Sequence, residues 1–155
     1  MHFQPMSKRP TDTETFDLGA FLPYQLAVLS ERVSRGFSAI YGARFGINRA
    51  EWRVLAHLAS ARGPLSVREV HARVSMDKSK VSRAATRLEE LGLIEKRRND
   101  RDRRLVALSL TEAGAGLVAE MTPVANAYET KVLSHLGEDA ETFRKLVNRL
   151  LEELE

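Results

Sequence analysis

The chain has 155 residues, 43% of them hydrophobic, with a formal net charge of +3, so it is long and apolar enough for one folded domain and only mildly biased toward an acidic partner such as nucleic acid. It contains no cysteine, which excludes disulfides, thiolate metal sites and a cysteine redox sensor. No apolar run approaches the roughly 18 residues needed to span a bilayer, and Met1 to Thr15 lacks a signal-peptide core, so no membrane partner and a cytoplasmic location are expected.

Residues 1–17 mix Pro5, Lys8, Arg9 and Pro10 with threonines and hold no period, which reads as a flexible arm. From about Pro23 to Gly42, Leu26, Leu29, Val33, Phe37 and Ile40 recur at steps of three and four, predicting a long first helix with Pro23 in its first turn. Asn48 with Glu51 predicts a capping box, and Trp52, Leu55, Ala56 and Leu58 form the apolar face of a second helix up to about Ala61. Gly63 and Pro64 interrupt the chain. Ser66 with Glu69 then repeats the capping pattern ahead of Val67, Val70 and Val74, a short third helix. Only Ser75 and Met76 separate it from Asp77, the spacing of a helix-turn-helix.

The fourth helix is the most informative. Asp77 is placed to cap it, its carboxylate accepting from first-turn amides. Val81, Ala84, Ala85, Leu88 and Leu91 share one face, while Lys78, Ser79, Ser82, Arg83 and Thr86 share the other. Gly92 is positioned for a Schellman stop. Leu93 to Lys96 and Leu105 to Leu110 then read as two strands of a hairpin, between which six cations (Lys96, Arg97, Arg98, Arg101, Arg103, Arg104) meet two carboxylates, Asp100 and Asp102. A charge run alone is most often a solvated face. Joined to an apolar-backed helix with a basic leading end, it fits a DNA-reading unit, the helix suiting a major groove and the arginine-tipped hairpin the backbone or minor groove.

Thr111 caps a long fifth helix containing Leu117, Val118, Met121, Val124, Tyr128 and Val132, in which Pro123 predicts a kink or local break and Gly137 the end. Phe143, Leu146, Val147, Leu150, Leu151 and Leu154 define a final amphipathic helix. The expected fold is mainly α with a small β-hairpin wing. A winged helix-turn-helix core over residues 47–110 lies between dimerisation helices at 18–46 and 111–155, whose surplus apolar surface is expected to be covered across a two-fold axis.

Several of these stretches together resemble the multiple antibiotic resistance regulator (MarR) family of winged helix-turn-helix transcription factors, over about residues 20–155. They are Glu51-Trp52-Arg53-Val54-Leu55, Asp77-Lys78-Ser79-Lys80-Val81-Ser82-Arg83, Leu88-Glu89-Glu90-Leu91-Gly92-Leu93-Ile94, Asp102-Arg103-Arg104 and Leu110-Thr111-Glu112-Ala113-Gly114. The resemblance implies a triangular homodimer with interlocked terminal helices, two winged modules on a near-palindromic operator, Asp102 bracing a wing arginine, and release from DNA by a small phenolic or other lipophilic effector. The wing departs from the family in carrying Asn99-Asp100 where Asp-Pro is common.

The candidate DNA contacts are Lys78, Ser79, Lys80, Ser82, Arg83 and Arg87 on the recognition helix and Arg97, Arg98, Arg101, Asp102, Arg103 and Arg104 in the wing. Arg83 is open between a guanine contact and a phosphate contact. Tyr24, Phe37, Tyr41, Trp52 and His57 are candidate effector-pocket residues, although aromatics at helical spacing are core filler more often than ligand wall. His2, His57, His71 and His135 form no metal-binding spacing. Gly114-Ala115-Gly116 falls in a helix rather than after a strand, and no nucleophile motif is present, so neither metal, cofactor nor enzyme activity is expected. Two readings stay open: a homodimeric, effector-released repressor binding double-stranded DNA, and a protein-interaction module that keeps the winged-helix fold.

Overall fold

The structure is a computed structural model that describes residues 15–61, 63–98, 100–102 and 106–154. Most of the expected N-terminal arm therefore lies outside the described residues. A short 3-10 turn at Leu18–Ala20 leads into α1 (Leu22–Phe45), followed by α2 (Arg49–Ser60), β1 (Leu65–Ser66), α3 (Val67–Val74) and α4 (Lys78–Glu90). β2 (Ile94–Arg98), β3 (Val106–Leu110), α5 (Glu112–Ser134) and α6 (Ala140–Glu153) complete the chain.

Local signals set most boundaries. The Asn48 side chain accepts from the Glu51 amide at 2.9 Å while the Glu51 carboxylate accepts from the Asn48 amide at 2.9 Å, the reciprocal capping box that opens α2. At α3 only half of that device forms: Ser66 Oγ accepts from the Glu69 amide at 3.0 Å. The end of α4 is a full Schellman motif. Gly92 has φ 73°, its amide donates to Glu89, and the Leu93 amide donates to Leu88. Thr111 Oγ1 accepts from the Gly114 amide at the start of α5 and donates to the Gly92 carbonyl, tying this helix start to that helix end.

Four expectations need correction. Asp77 sits at the N-cap of α4 but makes no side-chain cap hydrogen bond. The helix is launched instead by the turn geometry, with Ser75 left-handed at φ 51° and the Asp77 carbonyl accepting from Val81. The wing is a three-stranded antiparallel sheet in the order β1-β3-β2, because Leu65 pairs with Leu108 and Ser66 with Ala107. Two residues carry no readable period, so this strand has no local signal. α5 continues as helix through Pro123, so no local break forms there, and it ends at Ser134, where Gly137 (φ 54°) instead opens a 3-10 turn into α6.

The core lies where α2, α3, α4 and the sheet converge. Val54, Leu55, Leu58, Val70, Val74, Val81, Ala84, Ala85, Leu88, Ile94 and Leu108 are all buried, and Leu117 and Met121 close it from α5. α1 behaves differently along its length: Tyr41 is buried near its end, whereas Leu22, Leu26 and Leu29 stand exposed in its first half. α6 contains no buried residue.

α5 meets this core through a glycine. A Cβ on Gly114 would lie 2.0 Å from the Leu93 carbonyl oxygen, backbone that is itself held by the Thr111 amide. Gly116, two residues on in the same helix, has open space around it. Alanine is favoured over glycine in a helix interior by about 1 kcal/mol, so the two positions should respond with opposite signs. Gly116→Ala should stabilise by up to about 1 kcal/mol, while Gly114→Ala should destabilise by roughly 1–3 kcal/mol through overpacking. Urea denaturation of both variants checks this; equal shifts would mean that the Leu93 contact carries no energetic weight.

Candidate nucleic-acid interface

α4 is seated on α2 and α3 by Val81, Ala84, Ala85 and Leu88, each no more than 4% exposed. Because successive helical positions turn by about 100°, that seating leaves the opposite face in solvent. Lys78, Ser79, Lys80, Ser82 and Arg83 are exposed there, so five of the six recognition-helix candidates form one bare polar face. The sixth, Arg87, is also exposed and lines the groove beside Lys80 and Arg83, but it is engaged within the fold. Arg87 Nη1 donates to both carboxylate oxygens of Glu51, at 3.1 and 3.2 Å, and its Nη2 donates to the Gly46 carbonyl at 3.1 Å.

The wing is attached at its base to the same helix. Lys96 Nζ on β2 donates to Thr86 Oγ1 at 3.1 Å and lies 4.0 Å from the Glu89 carboxylate. Beyond it Arg97, Arg98, Arg101 and Asp102 are exposed, while Asn99, Arg103 and Arg104 lie outside the described residues. The β2–β3 register, running from Ile94 opposite Leu110 to Arg98 opposite Val106, carries the basic run away from the core.

The fold adds two cations not among those candidates. A groove of about 770 Å3 runs between the start of α2 and the polar side of α4, and Arg49 and Arg53 line it together with Lys80 and Arg83. Their four-residue spacing places Arg49 and Arg53 on one face of α2, a signal present in the sequence but indistinguishable there from an ordinary solvated face. Arg49 also donates to Glu31 on α1 at 2.8 Å, and this hydrogen bond holds the Glu31 carboxyl below its usual pKa. Among the described residues no three His, Asp or Glu side chains gather as a metal site.

The candidate effector residues divide. Phe37 and Tyr41 of α1 and Trp52 of α2 are in ring contact, with centroids 5.1–5.5 Å apart. Tyr128 of α5, which sequence reasoning did not single out for this site, stacks on Phe37 at 5.4 Å and donates its hydroxyl to the Val33 carbonyl at 2.6 Å. These four rings pack on one another at the junction of α1, α2 and α5. Tyr24 lies far up α1, exposed, and outside this ring cluster. His57 is outside it as well; burial first, then the charges of Arg73 and Arg53, hold its pKa below the ordinary imidazole value.

Residues 45–105 match the MarR family. The chain is 36% identical over 94 residues to the HTH-type transcriptional repressor MdtR of Bacillus subtilis, covering 61% of this chain and 60% of that protein. It is 34% identical over 74 residues to the HTH-type transcriptional regulator BilQ of Clostridium symbiosum, covering 48% of this chain and 51% of that one. The match thus spans between half and two thirds of each curated relative's length. The solved structure of a MarR family transcriptional regulator from Silicibacter pomeroyi superposes with a TM-score of 0.76 at 28% identity, covering 92% of this chain and 100% of that one. The likeness to solved MarR-family structures extends from the helix-turn-helix and wing to the helices on either side, and within it residues 45–105 are the stretch that matches the MarR family in sequence.

Proposed function

We propose that the protein is a sequence-specific, DNA-binding transcriptional regulator that acts as a homodimeric repressor on a near-palindromic operator. The observation that carries this reading is α4, whose buried face is flush with the core while its outward face offers Lys78, Ser79, Lys80, Ser82 and Arg83 bare to solvent. A protein-docking surface would be expected to present aromatic or apolar anchors there. The repressor and regulator names of the two curated relatives support the same reading. In it, Lys80, Arg53 and the wing arginines neutralise phosphates, and Ser82 and Arg83 meet base edges.

The second copy follows from the outer helices. On α6 and at its C-cap, Phe143, Leu146, Leu150, Leu151 and Leu154 are between 39% and 72% exposed. An isolated helix of this length is marginal in water, and an ion pair from Arg144 to Glu129 is a weak tether for it. Leu22, Leu26 and Leu29 on α1 are exposed as well. Two copies covering these faces would recover roughly 1.5–3 kcal/mol per fully buried large side chain, and a two-fold axis would set two α4 helices for successive half-sites about 34 Å apart. A small lipophilic effector entering among Phe37, Tyr41, Trp52 and Tyr128 would act by changing that spacing.

Two measurements test the reading. Leu146→Asp with Leu150→Asp should convert the dimer to a monomer by sedimentation velocity at micromolar concentration; a wild-type monomer there would remove the dimer. Operator selection from randomised duplexes should yield a consensus that Arg83→Ala relaxes at one or two base pairs, at a cost of about 1–3 kcal/mol. Arg97→Ala or Arg98→Ala should instead keep the consensus and lower the salt dependence of binding by about one phosphate equivalent. Absence of any enriched duplex would favour the protein-interaction alternative.

A further inference from the structure

Among the described residues Glu51 is the one buried charged side chain, 1% exposed, and the structure answers its charge with an arginine from the recognition helix. The Arg87 guanidinium occupies three acceptors at once: both oxygens of Glu51 and the carbonyl of Gly46. Gly46 is the left-handed C-cap of α1, where unpaired carbonyls and the negative end of the helix dipole favour a cation. Glu51 is the third residue of α2 and closes its capping box. One side chain from α4 therefore joins the end of α1, the start of α2 and α4 itself.

The apolar contact between α4 and α2 resists separation but is non-directional, and it includes two alanines with no side-chain torsion to fix register. The guanidinium supplies the direction. Its planar donors fit this acceptor set in one orientation, and moving α4 along or around its axis would leave the Glu51 charge buried without its partner. The geometry points to Arg87 as a positioning residue for DNA binding, one that holds the angle of α4 through buried Glu51 and touches neither phosphate nor base. This assignment rests on the DNA-binding reading above.

Two single substitutions and their combination test it on the full-length chain, with the duplex that the wild-type protein enriches from a randomised pool as the probe. Glu51→Gln keeps the α2 capping box, since glutamine serves at that position, but removes the charge. Arg87→Ala removes the tether. Measured at a temperature where circular dichroism and sedimentation show all variants folded and dimeric, each should weaken binding about tenfold, as expected if α4 then holds its competent angle roughly a tenth of the time. The double variant should be no weaker than either single one, and the salt dependence should be unchanged in all three. Arg87→Lys, which keeps the charge without the planar donor set, should recover only part of the loss.

A direct phosphate contact gives the opposite pattern. Arg87→Ala would then lower the salt dependence by about one phosphate equivalent, and Glu51→Gln would strengthen binding by releasing the guanidinium toward DNA. Either of those results, or unchanged affinity in both folded single variants, overturns the assignment while leaving the DNA-binding reading intact. A wild-type chain that enriches no duplex removes that reading, and this inference with it.

Discussion

Close approach of α4 to α2 is the constraint on which the rest of the molecule depends. Val54, Leu55 and Leu58 on one side and Val81, Ala84, Ala85 and Leu88 on the other are each no more than 5% exposed. The two alanines keep that interface shallow. Interiors packed at crystal-like density do not absorb an added methylene without moving something, so a larger residue at either position would lift α4 away from the core. Because the helix lies so flat, its buried face is entirely apolar and its polar residues are left on the outside or at the flanks. The chemistry offered to a partner is therefore a by-product of how tightly the other face packs.

At the flanks of α4 the contacts are polar. On one side Arg87 meets Glu51 and the end of α1; on the other, Thr86 and Glu89 receive Lys96 from the wing. Hydrophobic contact sets how strongly helices adhere, while hydrogen bonds to charged groups set the orientation they adopt, because a partner lost from a buried charge costs far more than the pair itself contributes. The wing and the α1–α2 junction are thus referred to the same helix.

The chain carries its cations and its exposed apolar side chains on different elements. Cations gather on α4, the wing and the groove at the start of α2, where Arg49, Arg53, Lys80 and Arg83 come together. Exposed large apolar side chains stand on α1 and α6, Leu22, Leu26 and Leu29 on the first and Phe143, Leu146 and Leu150 on the second. The aromatic junction of Phe37, Tyr41, Trp52 and Tyr128 joins α1, α2 and α5, with Tyr128 hydrogen-bonded to the α1 backbone. This junction couples α5 to α1 and α2, beside the direct contacts that Leu117, Met121 and Thr111 make between α5 and the winged core.

What the sequence determined by itself was local. Asn48 with Glu51, Gly92 and Thr111 announced helix ends because capping chemistry acts within three to five residues, and the stripes of α2 and α4 announced buried faces because helical periodicity does, except at Leu91, which the turn at the end of α4 leaves exposed. The five exposed recognition-helix candidates could be read for the same reason, as the complement of an apolar stripe. Asp77 shows where local logic stops: its type and position suit a cap, yet the turn through Ser75 launches the helix without its side chain. The tertiary structure alone decided the remainder. β1 exists only by pairing with β3, Gly114 is required only because the Leu93 carbonyl arrives there, and Tyr128 joins the rings by reaching a carbonyl 95 positions away. Arg87, read from its helix face as one more outward cation, is claimed by a carboxylate 36 positions earlier. Each of these depends on where two separately stable elements come to rest against each other, and a side chain's own neighbours in the chain carry no record of that distance.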